Sequence, residues 1–270
     1  ASAVVSSNRT YNSLGSNSAT TSILLGAGIV RNNATNVIRT TTDSGTVTGN
    51  TREVSVLSYI SGLNRIAPFA GKADASGKVT TANGNTLAPD KSIDLTGYNY
   101  VGIADSSSTV GTRSFTGVHV LGIITAYADA PTTGSATYKG PAVVKGMTGT
   151  GSTATLWTLK NATATVNADF GAKTASMTIT GTTGTGAPLD TIHVTNVAIA
   201  GNSFSNGKAT TSLEGKPVTG YSTSLSNNGN FYGYNKTKTG TLAAAGPAEV
   251  GGAIKASGST GSVRAVYIAK

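Results

Sequence analysis

A chain of 270 residues with 35 glycines, 38% hydrophobic and only 6% aromatic residues is sized for one large or two modest domains built on β cores. Charged residues at 11%, against the usual ~25%, leave a surface of Thr, Ser and Asn, a composition typical of extracellular β proteins. The absence of cysteine excludes disulfides, thiolate metal sites, a cysteine nucleophile and lipid attachment through cysteine, so a soluble rather than tethered form is expected.

Ala1-Ser2-Ala3 reads as a new N-terminus left by a removed leader. Strands are expected at 22–30, 36–41, 54–60, 92–103 and 113–127, with long polar loops at 71–90 and 105–111. Residues 52–63 are the best helix candidate, although the segment also reads as strand. The apolar stretches 23–30 and 118–128 are too short to span a bilayer as helix. Ala130-Pro131-Thr132-Thr133 is a short turn-rich link and marks a boundary between residues 1–130 and 131–270.

Beyond the link the period of two becomes explicit. Ala162, Ala164, Val166, Ala168 and Phe170 alternate with Thr163, Thr165, Asn167 and Asp169, and Gly171-Ala172 turns the chain into 173–179. Further strands are expected at 191–200, 221–225, 230–234, 250–255 and 262–268. Their spacing of about ten residues, with Gly- and Asn-rich turns, predicts an up-and-down barrel. Small inward residues (Ala164, Ala168, Gly252, Ala265) imply a narrow interior filled by side chains, hence a scaffold rather than a pocket. A membrane barrel would need apolar outer bands with aromatic girdles, whereas the legible faces carry Thr and Lys. Trp157, alone in the chain, is expected to anchor the start of the barrel against the first domain.

Several stretches carry a resemblance: Gly134-Ser135-Ala136-Thr137-Tyr138-Lys139-Gly140, Asp169-Phe170-Gly171, Ile199-Ala200-Gly201-Asn202-Ser203-Phe204, Asn228-Gly229-Asn230-Phe231-Tyr232-Gly233-Tyr234 and Gly246-Pro247-Ala248-Glu249-Val250-Gly251-Gly252. In this order the chain resembles the transferrin-binding-protein-like surface proteins of Gram-negative bacteria, which include iron-piracy receptors, complement-factor-binding lipoproteins and the secreted haem carriers called hemophilins. The likeness covers roughly residues 131–270. It implies an all-β molecule with an N-terminal handle-like β domain, whose loops make the functional contacts, packed on a C-terminal eight-stranded up-and-down β-barrel. It also implies export through a Slam-type outer-membrane translocon.

Net charge is +9, with nine Lys/Arg against seven Asp/Glu in residues 1–130 and eleven against four in 131–270. The lysines of the second half (Lys139, Lys145, Lys160, Lys173, Lys208, Lys216) stand singly, without an arginine cluster or stacking aromatics. They read as a solvated barrel face rather than a nucleic-acid surface. Gly26-Ala27-Gly28 lacks the third glycine and following helix of a dinucleotide fingerprint. The phosphate-loop likeness at 201–208 has misplaced glycines and Ala209 where a hydroxyl is needed. No Gly-x-Ser-x-Gly elbow occurs, and the eleven acids are dispersed, so no enzyme is expected.

His119 lies within Phe115-Thr116-Gly117-Val118-His119-Val120-Leu121-Gly122. An imidazole in that apolar strand is held neutral by desolvation, the form that ligates iron. A haem site needs apolar walls, an axial nitrogen and a polar rim for the propionates, and Tyr98, Tyr100, Arg113 and Tyr127 are the candidate rim. By pattern alone such a histidine is more often a hydrogen-bonded core residue. The hemophilin resemblance favours the ligand reading, with His119 as ligand to haem b. His193, on an expected barrel strand, reads as a surface residue.

The sequence therefore predicts a secreted haem carrier that takes haem from host haem proteins and delivers it to a cognate TonB-dependent receptor. The alternative is a cofactor-free adhesin or host-association protein that binds a host protein or glycan through its handle loops.

Overall fold

The computed structural model describes residues 20–36, 38–50, 53–60, 65–72, 79–80, 86–90, 92–98, 100–122, 124–125, 127–184, 186–233 and 247–270. The expected N-terminus at Ala1, together with Tyr234 and Gly246 of the resemblance motifs, lies outside these residues. The chain divides into two compact units, Ala1–Ile123 with Thr150–Thr153, and Ile124–Gly149 with Ala154–Lys270.

The first unit is an eight-stranded antiparallel sheet. Its strands are β1 (Thr20–Asn32), β2 (Ile38–Asn50), β3 (Glu53–Ile60), β4 (Arg65–Lys72), β5 (Val79–Thr80), β6 (Thr86–Pro89), β7 (Val101–Val110) and β8 (Arg113–Gly122). Their order, β4-β3-β2-β1-β8-β7-β6-β5, sets two meanders side by side, joined where β1 pairs with β8. Turn chemistry fixes the registers. After β1, Asn32 Oδ1 accepts from the amides of Ala34 and Thr35 at 3.0 and 3.4 Å, and Asn36 takes φ 57°. Between β7 and β8 a two-residue Gly-x loop places Gly111 at φ 58°, with Val110 opposite Arg113.

Several expectations change here. The expected loop 71–90 holds the end of β4 and the short strands β5 and β6, and the strand expected over 113–127 ends at Gly122. The helix candidate at 52–63 is, where described, the strand β3. The expected loop 105–111 is mostly the outer half of β7, whose Ser-Ser-Ser-Thr run pairs with β8 despite its polarity. The strand expected from residue 92 begins only at Val101. Asp90 Oδ1 accepts from Ser92 N at 2.8 Å and Asp94 Oδ1 from Thr96 N at 2.9 Å, and these two Asx turns keep 92–98 out of the ladder.

The second unit is a closed barrel. It comprises β9 (Ser135–Thr148), β10 (Thr155–Asp169), β11 (Thr174–Thr183), β12 (Thr191–Ala200), β13 (Ser203–Ser205), β14 (Lys208–Leu213), β15 (Lys216–Val218), β16 (Ser224–Tyr232), β17 (Glu249–Ser257) and β18 (Gly261–Ala269). The ring runs β9-β10-β11-β12-β13-β16-β17-β18 and returns from β18 to β9, so eight antiparallel strands close without a free edge. The β14–β15 hairpin extends from the same side of β12 as β13.

The interior is filled by aromatic side chains. Phe231 lies 5.3 Å from both Phe170 and Phe204 and 6.2 Å from Tyr138, while Trp157 meets Tyr221 edge-on at 6.2 Å. Trp157 thus belongs to the barrel core. Its expected role as an anchor against the first domain is replaced by an inward one, because its partner across the ladder is Gly146, whose bare backbone makes room for the indole. The small inward residues Ala164, Ala168 and Ala265 belong to the same core, and Gly229 likewise leaves room for the Phe204 ring. The barrel is a packed scaffold, as an eight-stranded lumen should be.

Candidate functional site

His119 sits mid-strand on β8, in register with Gly26 of β1 and Ala104 of β7. Strand alternation gives the two faces of this region different characters. Val118 and Val120 share a face with Ile103 and Val101, and all four are buried. The face of His119 carries Gly117, flanked in register by Gly28 and Ser106, and Gly102 lies opposite Leu121. Register therefore sets glycine, alanine and serine positions around His119 on this face. At 2% exposure the ring is enclosed rather than presented at a surface.

The other candidates are distributed rather than gathered. Tyr98 is buried in the turn that precedes β7, its amide donating to Leu95 O at 3.1 Å, and Tyr100 is half-buried one residue before that strand. Arg113 opens β8 at the opposite end, across from Val110. A strand from Val101 to Val110 at ~3.4 Å per residue separates the two ends by about 30 Å, so Arg113 and the tyrosines do not converge on one small ligand. Tyr127 belongs to the second unit. It starts the short 3-10 turn Tyr127–Asp129, is 73% exposed, and lays its ring against Gly201, where a Cβ would run into it. His193 is exposed on β12, as expected, with Nδ1 3.2 Å from Thr178 Oγ1. The β1 part of these positions, Gly26 and Gly28, escaped the sequence reading. Its signal was Gly26-x-Gly28, and only the β1–β8 register shows what those glycines adjoin.

Among the described residues no group of three or more His, Asp or Glu side chains is placed to hold a metal ion, and no helix is long and apolar enough to cross a membrane. The second statement does not bear on strands.

Residues 130–270, more than half of the chain, match the family model for the C-lobe and N-lobe beta barrels of Tf-binding protein B. The chain belongs to this transferrin-binding-protein family. No curated protein matches it. Among solved structures the chain is similar to the vaccine antigen transferrin-binding protein B of Haemophilus parasuis, at 18% identity over 84% of this chain and 52% of that one, with a TM-score of 0.48. It is similar to the isotype 1 transferrin-binding protein B of serogroup B Neisseria meningitidis, at 20% identity, 86% and 52% coverage and a TM-score of 0.45. It is also similar to HpuA of Kingella denitrificans, solved in complex with human haemoglobin, at 13% identity, 92% and 87% coverage and a TM-score of 0.44. The chain spans about half the length of the two transferrin-binding proteins, at 52% of each.

Proposed function

We propose that this protein is a non-catalytic binding module that recognises a host iron-carrying protein outside the bacterial cell. The observation that carries this reading is the match of the closed barrel to the family of Tf-binding protein B barrels. The packed barrel acts as the rigid mount, and the sheet of the first unit, with its hairpin turns, supplies the contacts. Export through a Slam-type translocon and hand-over to a TonB-dependent receptor complete the proposal. Co-elution from a sizing column with haemoglobin or iron-loaded transferrin is the expected result; free elution from both would end it.

A second reading is favoured by His119 among its small-residue neighbours in register: the cargo is haem itself, with His119 as the axial ligand. Entry of haem requires the cover over the 2%-exposed ring to open. Arg113, about 20 Å along β8 from His119, is not adjacent to that ligand and leaves the propionates to other groups. Haemin titrated into the whole protein should give a Soret shift that is lost in His119→Ala and weakens at acidic pH, since the ligating nitrogen must be unprotonated. A wild-type protein that gives no Soret shift with haemin refutes the haem reading and leaves carrier recognition standing.

A further inference from the structure

The outer face of the barrel carries three cations abreast. The β9–β18–β17 pairing sets Lys145 opposite Arg264, and Arg264 opposite Lys255. All three point outward, because each lies between residues turned to the interior: Val144 and Gly146, Val263 and Ala265, Ile254 and Ala256. Directly opposed residues on neighbouring strands hold their Cβ atoms about 4.5–5.5 Å apart, and like charges so placed destabilise a sheet.

Arg264 is only 5% exposed, and its Nη1 makes no hydrogen bond. No carboxylate stands in this row. The outward rows on either side are Met147–Ser262–Ser257 and Val143–Val266–Ala253, and neither holds an acid. Thr158 next to Lys145 and Ser226 next to Lys255 extend the row with hydroxyls. Lys145 and Lys255, on either side, are half-buried and so more open than Arg264. Burial lowers the pKa of both Arg264 and Lys255, the strain expected of cations without a counter-charge. A buried, unpaired guanidinium between two lysines is costly unless something negative completes it.

We propose that the Lys145–Arg264–Lys255 row is an oxyanion site, in which the planar fork of Arg264 takes two oxygens of a carboxylate, sulfate or phosphate group and the flanking lysines neutralise the remaining charge. The three side chains belong to barrel strands β9, β17 and β18.

The test uses the full chain and its one tryptophan, Trp157, whose place in the barrel core makes its fluorescence a reporter of barrel unfolding. Sodium sulfate is compared with sodium chloride at equal ionic strength. Sulfate should add a saturable rise of roughly 3–5 °C in the barrel transition at about ten times its dissociation constant. Arg264→Leu should abolish the saturable part and keep only the gradual, non-saturating stabilisation that sulfate gives any protein. The Lys145→Gln/Lys255→Gln pair should weaken it about tenfold, and carries the test if Arg264→Leu does not fold. A glutamate-rich peptide that saturates at lower concentration than sulfate assigns the group to a polypeptide partner; the reverse order assigns it to a free oxyanion. A wild type with no saturable response, or variants that respond as the wild type does, overturns the site.

Discussion

Tyr138, Tyr232 and Tyr267 are sealed in the second unit at 3%, 0% and 0% exposure. Burial pushes all three phenols well above the ordinary value; Tyr232 adds to the effect on Tyr267, while Asn230 partly offsets it at Tyr232. Each therefore holds its proton more tightly folded than unfolded. Its contribution to stability is complete below the ordinary phenol value and is lost as pH rises towards the folded one. Arg264 acts in the opposite sense. Burial lowers it from the usual guanidinium range to about 10, so its penalty on folding is fully present below about 10 and fades as pH rises towards that range. Lys255, which burial also lowers, acts in the same sense as Arg264; three phenols outweigh the two cations, and the barrel should lose stability from about pH 10 upward. The urea midpoint from Trp157 fluorescence is expected to fall between pH 8 and pH 11, and to fall less in the Tyr232→Phe/Tyr267→Phe variant. An unchanged or rising midpoint would contradict the assignment.

At the scale of elements, the barrel is shaped by bulges at asparagine. In β10 the step from buried Leu159 to buried Ala162 crosses two exposed residues, Lys160 and Asn161, and the ladder shifts there with Asn161 at φ 50°. In β12 Thr195 and Asn196 do the same between Val194 and Val197, with Asn196 at φ 55°. Each bulge bends its strand and restores the inward parity beyond it. Because a β-branched residue tolerates that backbone poorly, Asn161→Val should cost about 1–2 kcal/mol, whereas Asn161→Gly should stay close to the wild type in urea denaturation. This level also marks how far the sequence could be read. The alternation from Ala162 to Phe170 revealed a strand and its inner face, because one side is buried and the other wet. The bulges that frame it stayed hidden, since asparagine is ordinary in any turn. The outer half of β7 was hidden for a related reason: its serines carry no apolar period. The cation row depends on β18 closing onto β9 across more than a hundred residues, and three isolated basic residues do not announce a pairing at that separation.

At the scale of the molecule, the two units differ in what they can offer a partner. The barrel closes its ladder and fills its lumen with aromatics, so what it presents is its outer surface and turns. The first unit is an open sheet whose central strand β8 is buried on both faces around His119. The family motifs at Asp169-Phe170-Gly171 and Asn228-Gly229-Asn230-Phe231 were legible because they build the barrel: Phe170 and Phe231 meet in its core, and Gly229 admits Phe204. The residues that would choose a ligand were not legible to the same degree, since Arg113 lies at the far end of β7 from Tyr98 and Tyr100. Packing constrains a core sequence tightly, whereas a binding surface is set by its partner. The recognition of a host iron carrier is tested most directly by interferometry, with the whole protein immobilised and haemoglobin and iron-loaded transferrin offered in turn. The account predicts saturable binding of at least one carrier, micromolar or tighter; failure of both to bind while the Trp157 signal reports an intact barrel would contradict it.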